Sequence, residues 1–460
     1  MLTRDQAKAL IDKILNLSKA DECAVMVGAA DLANTRFADN QVTTSGRSEG
    51  MVVSIASTIG TRTGNIRTNE TSDDALRAAV ARSEELARYA PPDPEYVEPI
   101  SAQKYPEVAA YDAPTAGAAQ KEMLPGIRAA ITGSETKKLI SAGFFERKAE
   151  VLALGNKRGN FGYHTATNTD YSVTARTRDG TGSGWASAER FRLADLDAPA
   201  VSRVAIDKAV LSQKPRALEP GRYTVVLEPA AVSGMMQLLF SSPFDARGAE
   251  EGRTLFTKKG GGTRLGEKMF SEKITARCDP FDPRNPGVPW VGEVPTELSE
   301  IGQFFFGGGS AQNHSFLPAT RLAWIEKATV KNLVYSRYWA KKKDVAPTPR
   351  SSQSLVIDGE DHSLDDLVRS TDRGLLVTRF WYIRYLNPQT VQLTGLTRDG
   401  LFWIEKGKIT YPVVNFRWNE SPSNVLANVE MLSRPVRSGE RVVPAMKVRD
   451  FNFSSVSDAV

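Results

Sequence analysis

The 460-residue chain carries 59 Lys and Arg against 54 Asp and Glu, a formal net charge of +5, with 41% hydrophobic residues. That balance belongs to a globular protein rather than a disordered one, and the basic excess is too mild for a nucleic-acid footprint. No apolar run reaches the roughly 18 residues of a membrane span, and Met1 to Gln6 lacks the apolar core of a signal peptide, so a cytoplasmic protein is expected.

The first predicted element is a helix. Thr3 and Gln6 form a capping-box pattern, and Ala7, Leu10, Ile11, Ile14 and Leu15 recur at helical spacing. Met51 to Ser57 reads as a strand, followed by a turn and a second strand over Thr61 to Thr68 with Gly64 at its centre. A second helix follows Ser72-Asp73-Asp74, with Leu76, Ala79, Val80, Leu86 and Ala87 on its apolar side and Glu84 spaced to pair with Arg88. Pro91 and Pro92 stop it at Ala90. The stretch 91–114 has no period and reads as a linker or long loop.

Strand signals dominate afterwards. Tyr171 to Thr177 runs into the turn pair Asp179-Gly180, and Tyr223 to Leu227 is a short β-branched run ending at Glu228-Pro229. Leu376 to Leu386, Thr390 to Leu396, Leu401 to Glu405 and Ile409 to Val414 follow, with turns expected at Asp399-Gly400 and Lys406-Gly407; residues 376–414 read as a three-stranded meander. A helix capped by Ser363 and Asp366 and closed by Gly374 interrupts this half. No internal repeat of fixed period is visible. The expected class is α+β: a helix-and-sheet N-terminal domain over 1–218, then a mostly β C-terminal domain over 219–460.

Chemistry-bearing residues are sparse. His164, His314 and His362 lie in separate regions, and no His-x-x-His, His-x-x-x-His or Cys-x-x-Cys pair occurs, so no metal site of the chain's own histidines and cysteines is expected. The histidines read instead as surface or hydrogen-bonding residues. Cys23 and Cys278, far apart, read as free thiols of a reducing compartment. The segment Gly260 to Lys268 is glycine-rich but has Glu267 where a phosphate loop needs lysine, so a surface loop is the better account. Ser310 and His314 lack the elbow of a nucleophilic serine. Asp279, Asp282, Asp361, Asp365 and Asp366 could pair for acid–base work only if the fold brings them together; Asp365-Asp366 are explained by a helix N-terminus. The basic clusters Lys258-Lys259 and Lys341 to Lys343 read as solvated surface.

Several stretches together resemble the TldD/PmbA family, bacterial and archaeal proteins classed as zinc metallopeptidases. They are Asn34 to Asn40, Gly64 to Asn69 with the helix from Asp73, Tyr223 to Val232, Gly266 to Asp282 including Cys278-Asp279-Pro280-Phe281-Asp282, and residues 373–414, above all Phe402 to Gly407. In the TldD-like branch a helix carries His-Glu-x-x-x-His, two zinc ligands and a general base. The resemblance sets those positions at Gln237, Leu238 and Ser242, on a degenerate helix over 230–242 rich in Val232, Met235, Met236, Leu239 and Phe240. At that spacing core packing is the expected role. The chain is therefore similar to the PmbA/TldE-like branch, which lacks the motif.

What the resemblance implies is a non-hydrolytic subunit, with no catalytic or metal residue of its own, paired with a TldD-like chain that binds zinc. Such an assembly would cut unfolded or modified peptides. Two alternatives stay open: a homodimeric metallopeptidase with relocated ligands, and a non-enzymatic modulator or binding protein. Neither a membrane nor a nucleic acid is expected as partner.

Overall fold

The computed structural model describes residues 1–291, 316–349 and 354–457. Its first part orders α1 (Arg4–Leu17), β1 (Glu22–Ala38), β2 (Gln41–Ile59), β3 (Arg62–Thr68) and α2 (Asp73–Tyr89). After the short α3 (Ala113–Gly117) come α4 (Leu124–Thr136), β4 (Leu139–Asn156), β5 (Phe161–Thr177), β6 (Ser183–Arg190) and α5 (Ala198–Leu211). The six strands form one antiparallel sheet in the order β3-β2-β1-β4-β5-β6.

Element order and sheet order expose a repeat that no sequence period announced. The unit helix–strand–strand–strand–helix occurs twice, and the copies meet where β1 pairs antiparallel with β4. Gly64 on edge strand β3 and Gly184 on edge strand β6 occupy equivalent places. A Cβ on Gly64 would lie 2.1 Å from the Ser83 carbonyl oxygen and 2.4 Å from the Ala87 nitrogen. On Gly184 it would lie 2.1 Å from the Ala205 carbonyl and 2.4 Å from the Ala209 nitrogen. Each glycine lets the closing helix of its unit touch the edge strand.

All four long helices cover the same face. Alternate residues of a strand face opposite sides. Cys23, Val25 and Val27 of β1, with Val53 and Ile55 of β2, pack beneath Ile11 and Ile14 of α1 and Leu76 and Val80 of α2. Ala33, Phe37, Phe145, Tyr171 and Val173 pack beneath Ile127 and Ala130 of α4 and Ala198 and Ala205 of α5. The caps at Thr3 and Ser72 form as their sequences require. Glu84 does reach Arg88, at 3.6 Å. Its principal partners, however, are the amides of Lys19 and Ala20, at 2.6 and 3.1 Å, which close the α1–β1 turn.

The segment 91–112 has no regular structure, yet it is fastened to the sheet. Gln103 donates its amide to Asn160 at 2.9 Å, and Tyr105 donates to the Phe316 carbonyl at 3.0 Å. Ile100 and Tyr105 join Met26, Leu152, Leu154, Trp290 and Phe316 in a small core on the face that the helices leave open.

The second part contains β7 (Gly221–Leu227), α6 (Pro229–Leu239), α7 (Ala246–Glu250), β8 (Ala276–Cys278), β9 (Trp290–Val291), β10 (Leu317–Pro318), β11 (Leu322–Glu326) and β12 (Thr329–Val330). Then follow α8 (Arg337–Lys343), β13 (Leu355–Ile357), α9 (Leu364–Arg369), β14 (Arg373–Asn387), β15 (Gln392–Glu405), β16 (Lys408–Pro412), β17 (Phe416–Glu420) and α10 (Pro422–Ala427). The last strands are β18 (Val429–Leu432), β19 (Val436–Ser438), β20 (Arg441–Val443) and β21 (Met446–Val456). β14, β7, β21, β17 and β15 are each bonded to the next, and β15 returns to β14, which closes a small barrel. A second sheet runs β12-β11-β8-β13-β20-β19. Its core is continuous with the barrel's through Val225, Leu227, Met235, Met236, Phe244, Trp324, Ile357 and Trp418.

The α+β class holds, and the meander forms as β14, β15 and β16. Two expectations give way. Asp399-Gly400 is not a turn: β15 runs unbroken from Gln392 to Glu405, and the two residues take positive φ inside it, at 56° and 125°. A local turn signal was overridden by pairing on both sides. Gly374 does not close a helix either. α9 ends at Arg369, and Gly374 belongs to β14, where a Cβ would meet the Thr224 carbonyl at 2.5 Å.

Candidate functional site

Helix α6 starts with proline at its first position, where no amide is needed. It packs against β14, β19 and β20. Ala231, Val232, Met235, Met236, Leu238 and Leu239 are all buried. Three contacts fix it from the polar side. Ser233 donates its hydroxyl to the Ser438 carbonyl at 2.8 Å, Tyr385 donates to the Leu238 carbonyl at 3.0 Å, and Ser241 donates to the same carbonyl at 2.8 Å. Gly234 sits below Ile383, whose Cδ1 would be 3.4 Å from a Cβ there.

The three expected positions are not equivalent. Gln237 is half-buried, Leu238 is 6% exposed within the core, and Ser242 is exposed. The helix ends at Leu239, short of the expected 242. Ser242 opens a separate 3-10 turn over Ser242–Phe244: Ser241 breaks the helical path with φ −87° and ψ −116°, and Pro243 has no amide with which to continue α6. Among the described residues, no group of three or more His, Cys, Asp or Glu is placed to hold a metal ion. His164 differs from the expectation: it is neither on the surface nor hydrogen-bonded through Nε2, but buried edge-on to Trp290 at 6.3 Å. Burial pushes it down to about 4. His362 is half-buried; Ser310 and His314 lie outside the described residues.

The other sequence candidates resolve into structural roles. Asp279 accepts from Arg321 at 2.9 Å and Asp282 from Arg284 at 2.6 Å. Asp366 caps α9 through Ser363 at 2.8 Å. Glu267 pairs with Lys258 and Arg264 at 3.3 and 2.9 Å, which stabilises the glycine-rich turns. Cys23 and Cys278 are both buried, and no disulfide joins them.

Strand register assembles a feature that sequence order conceals. Glu146, Asp170 and Glu189 stand directly opposite one another across β4, β5 and β6, on the face away from the helices. Like charges at such spacing repel. Burial first, and neighbouring carboxylates second, push Glu146 above its ordinary range and Glu189 up to about 7; burial likewise raises Asp170. Arg437 of β19 opposes them, 3.9 Å from Glu189 and donating to Asn168 at 2.8 Å. The turn after β19 links this row to α6. A Cβ on Gly439 would lie 3.7 Å from the Ser233 hydroxyl and 3.9 Å from a Glu189 oxygen. Ser233 of α6 and Glu189 of the carboxylate row therefore approach one turn from its two sides, where the first sheet meets the second part.

A second junction lies along the barrel. Asp399, with its side chain fully buried, accepts from Ser183 of β6 and from Arg379 of β14, the latter through Nε at 2.7 Å. Arg379 lies over the Trp185 ring at 4.4 Å and the Trp381 ring at 5.5 Å, while Arg398 lies over Trp381 at 4.8 Å. Lys208 of α5 adds an ion pair to Glu228, at 2.6 Å. The sequence marked Asp399 only as part of an expected turn and Glu228 only as the end of a strand, because each of these contacts depends on pairing between distant elements.

The profile of the PmbA/TldA metallopeptidase C-terminal domain matches residues 220–455. No curated protein matches the chain. Among solved structures it is similar to TldE from Thermococcus kodakarensis, at 18% identity and TM-score 0.82, covering 97% of this chain and 99% of that one. It is also similar to a candidate modulator of a DNA gyrase from Thermotoga maritima, at 15% identity and TM-score 0.81, covering 97% and 100%. A candidate modulator of DNA gyrase from Bacteroides thetaiotaomicron matches at 18% identity and TM-score 0.81, covering 99% and 100%. At these identities the structures establish the fold, and the profile match establishes the descent: the chain belongs to the PmbA/TldD metallopeptidase family.

Proposed function

We propose that this chain is the non-hydrolytic, TldE-like subunit of a cytoplasmic two-chain assembly in which a TldD-type partner holds zinc and cuts unfolded or modified peptides. The observation that carries the reading is α6. Gln237, Leu238 and Ser242 stand where the family resemblance expects ligand, base and ligand, and Leu238 is packed into the core beneath the Tyr385 hydrogen bond. A leucine cannot take a proton from water, and glutamine and serine are weak zinc ligands beside imidazole. In this reading the chain contributes part of the wall around the peptide, and the partner contributes the metal.

Copurification tests the proposal. A tagged chain co-expressed with a TldD-type chain should elute as a complex that contains stoichiometric zinc and loses peptide cleavage on chelation. The chain alone should bind no stoichiometric zinc, and its melting temperature should not move with chelator. Zinc bound one-to-one by the isolated chain, with cleavage, would overturn the proposal.

A further inference from the structure

Arg441 opens β20, one of the strands on which α6 rests, and only 9% of it is exposed. Its direction follows from register. Arg441 and Val443 stand two residues apart on one strand and so face the same side. Val443 packs in the core with Val232, Met235 and Met236 of α6. Across the hairpin Arg441 is paired with Ser438, whose carbonyl holds Ser233 of α6. The arginine therefore stands on the α6 side of the second sheet, beside the helix where the family resemblance expects the motif.

Among the described residues nothing pairs with its guanidinium or accepts a hydrogen bond from it. Burial pushes Arg441 below the ordinary arginine value, and the carboxylates that pull the other way are Glu440, which is exposed, and Glu189, the end of the row on the first sheet. Arg437, on the other face of the hairpin, is already occupied: it donates to Asn168 at 2.8 Å and to the Gly439 carbonyl at 3.2 Å. Arg147 Nε and Arg398 Nε are sealed from solvent, whereas no nitrogen of Arg441 is. A charge taken out of water without a partner is costly, so this open and unpaired guanidinium marks a place where something else supplies the anion.

The chemistry of the anion follows. A guanidinium presents its donors as a rigid planar fork, which matches a carboxylate in two parallel bonds. Phosphate would bring up to two charges toward Glu189 and Asp170, which disfavours it. A carboxylate brings one, and Glu189, pushed up to about 7 chiefly by burial, has a proton to donate to it. We propose that Arg441, next to the Glu189 end of the row, binds a carboxylate of a peptide, at its C-terminus or on an acidic side chain. That the carboxylate belongs to a peptide rests on the peptide-processing reading above; that the ligand is a carboxylate rests on the guanidinium and its surroundings.

The test is isothermal titration of the full chain, alone and with a TldD-type chain, against three acetylated tetrapeptides: tetra-alanine with a free C-terminus, its C-terminal amide, and an amide with glutamate at the third position. The free acid should bind about tenfold or more tighter than the plain amide. The glutamate amide separates the two sources: binding like the acid assigns the side chain too, and binding like the plain amide assigns the terminus alone. Arg441→Gln should lose the preference for the acid, and Arg441→Lys, which keeps the charge without the fork, should keep only part of it. The melting temperature of Arg441→Gln should hold or rise, because an unpaired buried charge is removed. A fall in melting temperature with the peptide preference unchanged would make the arginine structural and overturn the subsite. Acid and amide bound alike, or neither bound, would overturn it as well, as would inorganic phosphate displacing the acid at equal concentration. A chain that prefers the acid but forms no zinc-containing complex keeps the subsite and removes the two-chain reading; a complex that cleaves peptides without the preference does the reverse.

Discussion

Arg437 lies 3.9 Å from Glu189 and donates to Asn168, so a guanidinium from β19 faces the Glu189 end of a row of three carboxylates on the first sheet, where burial outweighs the nearby cations. The imbalance has a pH signature. Glu189 in the folded chain titrates near 7, above the ordinary glutamate range, so the folded state holds a proton that the unfolded chain has released. Stability should therefore fall as pH rises from the ordinary carboxylate range through about 7, and Asp170 and Glu146, raised by the same burial, act in the same direction. Glu189→Gln should remove much of that slope and stabilise the chain at pH 8 by on the order of 2 kcal/mol. Melting curves of both chains from pH 4.5 to 8 check it; an unchanged difference across that window would refute it.

His164 works in the opposite sense. Its folded value of about 4 lies below the ordinary imidazole value, so its contribution is present above pH 6.5 and lost as pH falls toward 4. His164→Phe should flatten the acid side of the curve. The check is a comparison of melting temperatures at pH 4.5 and 7, where the wild-type chain should lose more than the variant on acidification.

Asp399→Ala should be among the most damaging substitutions. It strips Arg379 of its buried partner and Ser183 of its acceptor, at a cost of about 3–5 kcal/mol. Denaturant titration reads the loss. An effect under about 1 kcal/mol would mean that water replaces the carboxylate.

Gly64→Ala and Gly184→Ala test the structural repeat. Each places a Cβ 2.1 Å from a helix carbonyl, so each should destabilise by roughly 1–3 kcal/mol through displaced α2 or α5. Similar costs at both sites are expected, and a neutral variant at either would break the equivalence.

Restoring the family motif should fail. In Gln237→His, Leu238→Glu, Ser242→His, the new glutamate enters the core, and the second histidine lies beyond the end of α6. We expect a loss of at least about 2 kcal/mol from the buried carboxyl and no tight zinc binding by metal analysis. One-to-one zinc in a stable triple variant would show that only the ligand identities had changed.

How much of this was readable beforehand depended on range. Thr3, Ser72 and Ser363 announced their helices because a cap acts within four residues, and Pro91 ended α2 for an equally local reason. Lys406-Gly407 marked a true hairpin turn, while Asp399-Gly400, with the same kind of signal, was drawn into an unbroken strand. The family segments were legible as well, since they are runs of neighbouring residues. What the chain's order alone determined was therefore the α+β class, the apolar nature of the α6 segment, and the lack of paired histidines.

Tertiary structure decided the rest. Ser183 meets Asp399 across 216 residues, and the Glu146–Asp170–Glu189 row exists only because three strands align in one register. The repeat stayed hidden because it conserves a shape and two glycines rather than a spacing. A shift of one residue in any of these strands would turn each carboxylate or tryptophan to the other face of its sheet. Local chemistry names the elements; the barrel, the carboxylate row and the buried Ser183–Asp399 contact follow from pairing over distances that no local pattern records.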